Sequence, residues 1–101
     1  MQHYNVTVLP IAREDIAEIY YYIALDNQDA ALKVTDNIMD EIDTLEQFPN
    51  RCPLVPENAL AKQGYRMLVV GNYIVFFKVL ESDVLIYRVL HGKRDYPQLL
   101  D

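Results

Sequence analysis

The stretch of this sequence richest in reactive side chains is YRVLHGKRDY, Tyr87 to Tyr96. A run that alternates like a strand, ESDVLIYRVL, leads into it, and the chain then sets down His91, Lys93, Arg94 and Asp95 around Gly92. An imidazole that titrates near neutrality, next to fixed positive charge, suits either proton transfer or the binding of an anionic group. Arg66 and Arg88 extend the set. By strand alternation Arg66 shares a face with Leu68 and Val70, and Arg88 shares one with Ile86 and Leu90. If they converge at one end of a sheet, Arg66, Arg88, His91, Lys93 and Arg94 form a small anion-binding surface. The opposing reading is a solvated rim, with Arg88 or Arg94 paired to Asp95 or Glu81.

Other chemistries find less to stand on. The only glycines are Gly64, Gly71 and Gly92, too scattered for a phosphate-cradling loop. His3 and His91 lie far apart and no cysteine pair accompanies them, so neither a metal nor another cofactor is expected. Cys52 is the single cysteine, which excludes an internal disulfide framework. It sits between Arg51 and Pro53, where a reactive thiolate is conceivable and an incidental loop cysteine is the plainer reading. Tyr21 and Tyr22 either pad the edges of a core or line a groove for a partner's helix.

These residues need elements to position them. YNVTVL, Tyr4 to Leu9, alternates as a short strand stopped by Pro10. In IAREDIAEIYYYIAL, Ile16, Ile19, Tyr20 and Ile23 make one helical stripe, and Glu14 and Asp15 near its start suit the backbone dipoles. A second helix runs from about Asp29 to Gln47, with Ala31, Val34, Ile38, Ile42 and Leu45 on one face. The short link between them predicts an antiparallel hairpin. FPNRCPLVPENALAKQ, with three prolines and no period, reads as a surface loop. GYRMLVV, NYIVFFKVL and DVLIYRVL follow as strands, joined tightly at Gly71-Asn72 and Glu81-Ser82 and so antiparallel neighbours. The expected fold is α+β, in the order β-α-α-β-β-β, with the helical hairpin packed on one face of a small antiparallel sheet.

One domain, residues 1–101, accounts for the whole length. The net charge of -6 is unevenly spread, since Met1 to Glu57 holds eleven acids and three bases and the remainder four acids and six bases. A sequence pI near 4.7 argues against bulk nucleic-acid binding. No run approaches the roughly 18 apolar residues that span a bilayer. MQHYNVTVLPIARED lacks a basic segment followed by an apolar one, so a cytoplasmic protein without membrane contact is expected.

The element order, the phrase GYRMLVVGNYIVFFKV and the ending VLIYRVLHGKRDY resemble toxins of the RelE/ParE superfamily, the toxic halves of bacterial type II toxin–antitoxin modules. The matching points are Gly64-Tyr65-Arg66, Asn72-Tyr73 and Arg88 to His91, and the resemblance covers nearly the whole chain. It implies a cognate antitoxin as partner, anchored by apolar side chains, with Tyr21 and Tyr22 in its groove. It also implies one of two targets. RelE-like members cleave mRNA on the ribosome without a metal, for which Arg66, His91, Arg94 and Tyr96 are the catalytic candidates here. ParE-like members keep the fold without that set and poison DNA gyrase. Ile74 and Leu68 stand where nuclease members tend to carry arginine and lysine, and Tyr96 only approximates their C-terminal tyrosine. Lost cations weaken phosphoryl transfer, which depends on positioned positive charge. The expectation is therefore a ParE-like gyrase inhibitor, which binds through Arg66, Arg88, His91, Lys93, Arg94 and the tail to Asp101. The alternatives are a RelE-like endonuclease and a relic that binds only its antitoxin.

Overall fold

Pro10 opens the first helix as well as ending the strand before it. The structure, a computed structural model, describes residues 3–100, so Met1, Gln2 and the tail residue Asp101 lie outside it. Strand β1 (Asn5–Val8) leads into helix α1 (Pro10–Ala24), with Pro10 in its first turn. Leu9 is extended (φ -67°, ψ 155°), as the residue before a proline prefers, and the ring's fixed φ starts the helix without a side-chain cap. Helix α2 (Gln28–Asp43) is capped by Asn27, whose Oδ1 accepts the Ala30 N–H at 3.0 Å. Asp29 in its first turn complements the helix dipole. A 3-10 turn, Thr44–Glu46, then carries Leu45 into the core.

The hairpin of α1 and α2 packs on a sheet of β2 (Arg66–Val70), β3 (Tyr73–Leu80), β4 (Asp83–His91) and β1, in the order β1-β4-β3-β2. The three hairpin-linked strands are antiparallel, as their short links require. β1 differs from expectation. It pairs parallel with β4, Asn5 against Asp83 and Val8 against Ile86. Link length dictates direction only for consecutive strands, and no short link joins β1 to β4, so their pairing is set by packing alone.

Apolar residues on both sides of the sheet are buried. Ala12, Ile38, Ile42 and Leu45 from the helical side meet Val75, Phe77, Val84, Ile86 and Val89. Phe76, between two of these, points the other way and joins Val55, Leu60, Tyr65, Leu90 and Leu100. β3 is apolar almost throughout because both of its faces are covered. The cover on the second face comes from the segment expected to be a plain surface loop. That segment holds a 3-10 turn (Pro49–Arg51) and helix α3 (Asn58–Lys62), and it buries Val55 and Leu60 on this face and Cys52 in the helix-side core. The short helix α4 (Pro97–Leu100) completes it with Leu100.

A bulge interrupts β4. Phe76 pairs with Arg88 and Phe77 with Ile86, which leaves Tyr87 unmatched. Simple alternation put Arg88 on one face with Ile86 and Leu90, but the extra residue sends Ile86 into the helix-side core and Leu90 into the other. Gly71, in the β2–β3 turn, takes φ 59°, and Glu81 in the next turn adopts φ 55° without a glycine's freedom.

Truncating the residue at the centre of the second core tests its weight. Phe76→Ala is expected to cost about 3–5 kcal/mol, whereas exposed Leu80→Ala should stay within about 0.5 kcal/mol. Urea unfolding followed by circular dichroism measures both.

Candidate functional site

The bulge and the short β1 together create a problem that Asp15 solves. β1 stops at Val8, where the Leu9 N–H donates to the Ile86 carbonyl at 3.0 Å. Past that point β4 has no strand on this side, and the buried Val89 amide would be left without a partner. The Asp15 Oδ2 accepts that amide at 3.0 Å. The same carboxylate takes both ends of a fork from Arg88, Nε to Oδ2 at 2.7 Å and Nη2 to Oδ1 at 2.8 Å. Arg88 Nη1 reaches on to the Leu99 carbonyl at 3.3 Å, so one guanidinium ties α1, β4 and α4 together. The Asp15 and Arg88 side chains are 7% and 14% exposed. The bond to Asp15 holds the guanidinium's pKa above its ordinary value, against the opposing effect of burial. Arg88 is therefore committed inside the fold. It pairs with neither Asp95 nor Glu81 and is not a free rim cation.

Beyond Arg88 the chain emerges. His91, Lys93 and Arg94 are exposed, and His91 and Arg94 line one hollow of about 460 Å³ with Glu18, Tyr22 and Tyr73. The His91 ring meets Tyr73 edge-on, with centroids 5.4 Å apart. Its Nδ1 accepts the Lys93 N–H at 3.2 Å. In the neutral ring that places the proton on Nε2, so the outward nitrogen donates and the ring's lone pair is already engaged.

The other expected members lie elsewhere. Arg66 pairs with Phe77 while His91 pairs with Tyr73, which separates them by two strands and four residues, roughly 16 Å at standard strand spacings. Convergence of Arg66 with the His91 turn is thus not realised. Arg66 Nη1 instead donates to the Cys52 carbonyl at 2.6 Å. Tyr96 lies against the second face, its ring 4.5 Å from Phe76, and its hydroxyl donates to Glu57. Burial and the Glu57 carboxylate push its phenol up to about 12. Burial also raises the Cys52 thiol, against partial relief from Arg51 and Arg66, which leaves it a poor nucleophile.

Tyr21 and Tyr22 are 69% and 78% exposed and serve different hollows. Tyr22 borders the His91 hollow, and Tyr21 borders an apolar one of about 470 Å³ with Val8, Ile16, Tyr20 and Met39. Adjacent residues on a helix are about 100° apart, so a straight partner helix meets one of them and not both. Among the described residues no group of His, Cys, Asp or Glu is placed to hold a metal ion, and no helix is long and apolar enough to cross a membrane.

The family model described as the ParE toxin of the type II toxin–antitoxin system, parDE, matches residues 6–96. The chain belongs to the ParE toxin family. Among solved structures it is similar to the chromosomal ParDE system from P. aeruginosa, with a TM-score of 0.75 and 22% identity over 90% of this chain and 98% of that one. It is also similar to the RelBE2 toxin–antitoxin complex from Mycobacterium tuberculosis, with a TM-score of 0.57 and 20% identity over 88% of this chain and 98% of that one. At such identities the likeness is one of fold. No curated protein sequence matches.

In this ParE-family chain the residue that sequence reasoning misread is Asp15. It looked like a dipole-complementing acid, but it lies beyond the first turn and falls on the buried stripe with Ala12 and Ile19. An acid at an apolar position of a helical period needs a buried partner, and that signal was present in the sequence. Glu57 gave no comparable sign.

Removing the Asp15 carboxylate strands both Arg88 and the Val89 amide. Asp15→Ala is expected to cost about 3–5 kcal/mol in chemical denaturation, the range for an uncompensated buried charge. Tyr96 makes a pH prediction. Its folded pKa lies above the ordinary 10.0, so its contribution is complete below pH 10 and declines as pH rises through about 12. Tyr96→Phe should flatten that decline in a series of alkaline melts.

Proposed function

We propose that this ParE-family chain inhibits DNA gyrase by binding it, and that a cognate antitoxin holds it inactive in the cytoplasm. The observation that carries the reading is the dispersal of the nuclease candidates. Arg66 lies across the sheet, Tyr96 is fixed to Glu57 on the second face, and only His91 and Arg94 share a hollow. A phenol pushed up to about 12 is badly matched to proton transfer near neutrality. What remains is an exposed basic turn, His91, Lys93 and Arg94, suited to contact. Arg88 serves that turn by anchoring the strand beneath it, and Arg66 braces the covering segment. The family description and the titles of both structural neighbours, which name toxin–antitoxin systems, support an antitoxin partner. The apolar hollow beside Tyr21 suits an apolar antitoxin segment, which would also meet Tyr22 if the segment continues around α1.

One observation keeps a second reading in view. His91 and Arg94 do stand in one hollow, a reduced pair from which a RelE-like endonuclease on the ribosome would have to work.

The test is a gyrase supercoiling assay with purified, antitoxin-free protein. Inhibition with trapped cleaved DNA is expected, with at least about a tenfold loss of potency in Lys93→Ala/Arg94→Ala, the scale of a contact hot spot. Unaffected supercoiling, together with mRNA cut on translating ribosomes and abolished by His91→Ala, would overturn it in favour of the nuclease. Inactivity in both assays would leave a relic. Against the antitoxin, Tyr21→Ala should weaken binding by about 1–3 kcal/mol in calorimetry, and more than Tyr22→Ala does.

A further inference from the structure

The His91 hollow does not end at Tyr73. A second hollow of about 380 Å³ adjoins it at the same residue, lined by Val70 at the end of β2, by Gly71 and Asn72 of the β2–β3 turn and by Lys33 and Asn37 of α2. Tyr73 lines both. A bent groove therefore crosses the end of the sheet, from Arg94 and His91 past Tyr73 to Lys33. Lys33, Lys93 and Arg94 take part in no ion pair among the described residues, and Arg94 lines one of the two hollows and Lys33 the other. Between them lie the Tyr73 ring and the apolar side chains of Ile19 and Val70. The acids facing the groove are Asp15, consumed by Arg88, and Glu18, which has no ion-pair partner among the described residues.

We infer that this groove binds an extended acidic segment of a partner protein, one that sets carboxylates against Arg94 and Lys33 and an apolar side chain against Tyr73. The inference rests on the His91–Arg94 turn being the contact surface for the target, and it adds Lys33 and the chemistry of what the target presents. Charge complementarity selects the occupant. Isolated cations in two adjoining hollows with an apolar floor match acids spaced by an apolar residue. A polyphosphate backbone carries a charge on every unit and sets some of them against Glu18, whereas spaced carboxylates can face Arg94 and Lys33 alone, so a nucleic acid suits the groove less well. Lys33 is the residue that distinguishes this surface from the basic turn alone. It lies in the acidic half of the sequence, and only the fold carries it to the end of the sheet.

The experiment is fluorescence anisotropy on the antitoxin-free protein with three labelled probes. They are a short peptide alternating Asp with Leu, its Asn-for-Asp counterpart, and an oligothymidylate of equal length. The acidic peptide should bind and the neutral one should not. Lys33→Ala and Arg94→Ala should each weaken binding by about tenfold, and Glu18→Gln should tighten it by removing a like charge. All three side chains line open hollows, and circular dichroism checks that the variants keep the fold. Equal binding of the neutral peptide, tighter binding of the oligothymidylate, or an unchanged Lys33→Ala overturns the inference. Gyrase inhibition by the same variants separates it from the reading it rests on. Potency lost in Arg94→Ala but kept in Lys33→Ala sinks the extended groove while leaving the gyrase contact standing. Selective binding of the acidic peptide without gyrase inhibition does the reverse.

Discussion

A single carboxylate holds three parts of this fold in register. β1 is too short to accompany β4 to its end, so the outer edge of β4 past Ile86 meets a helix instead of a strand. Asp15 supplies from that helix what a strand would have supplied, an acceptor for the Val89 amide, and it neutralises Arg88 in the same stroke. Arg88 then reaches the Leu99 carbonyl and ties the C-terminal helix to the sheet. Charges so largely buried are tolerated because the pair is bidentate and Arg88 makes a third bond, to the Leu99 carbonyl. The exposed turn from His91 to Arg94 begins three residues after this clasp, and its position relative to α1 depends on it.

The sheet, covered on both faces, explains the remainder of the site. The helical hairpin buries one side, while the Pro-rich segment, α3 and α4 bury the other. Tyr96 belongs to that second cover, held by Phe76 and Glu57, and does not line the His91 hollow. A set of basic and phenolic groups that reads as one constellation along the chain is thereby divided among two faces and two ends. Of that set, only His91 and Arg94 line one open hollow.

Much of this was legible. Periodicity located both helices, and short links fixed three strands as antiparallel neighbours, because local geometry leaves no other solution. The phrases GYRMLVVGNYIVFFKV and VLIYRVLHGKRDY carried the likeness to the RelE/ParE superfamily, and the family match over residues 6–96 agrees with it. Less legible were the parallel direction of β1, the buried content of the segment after Phe48, and the true setting of Asp15. Each depends on a partner far away in sequence. The Asp15–Arg88 pair spans 73 positions, and nothing local to either residue encodes the other.

The sequence by itself determined the elements, their order and the family, since these follow from local propensity, spacing and motif. The tertiary structure alone decided which cations are free. Arg88 and Arg94 look equivalent in the run RVLHGKR, yet Asp15 from α1 binds the first and the second is left in solvent. Neighbouring Tyr21 and Tyr22 part company in the same way, because helix rotation aims them at different hollows whose far walls come from β1 and α2 in one case and from β3 and β4 in the other. A site made of walls from distant segments exists only once those segments pack, and its charge balance is fixed at that step.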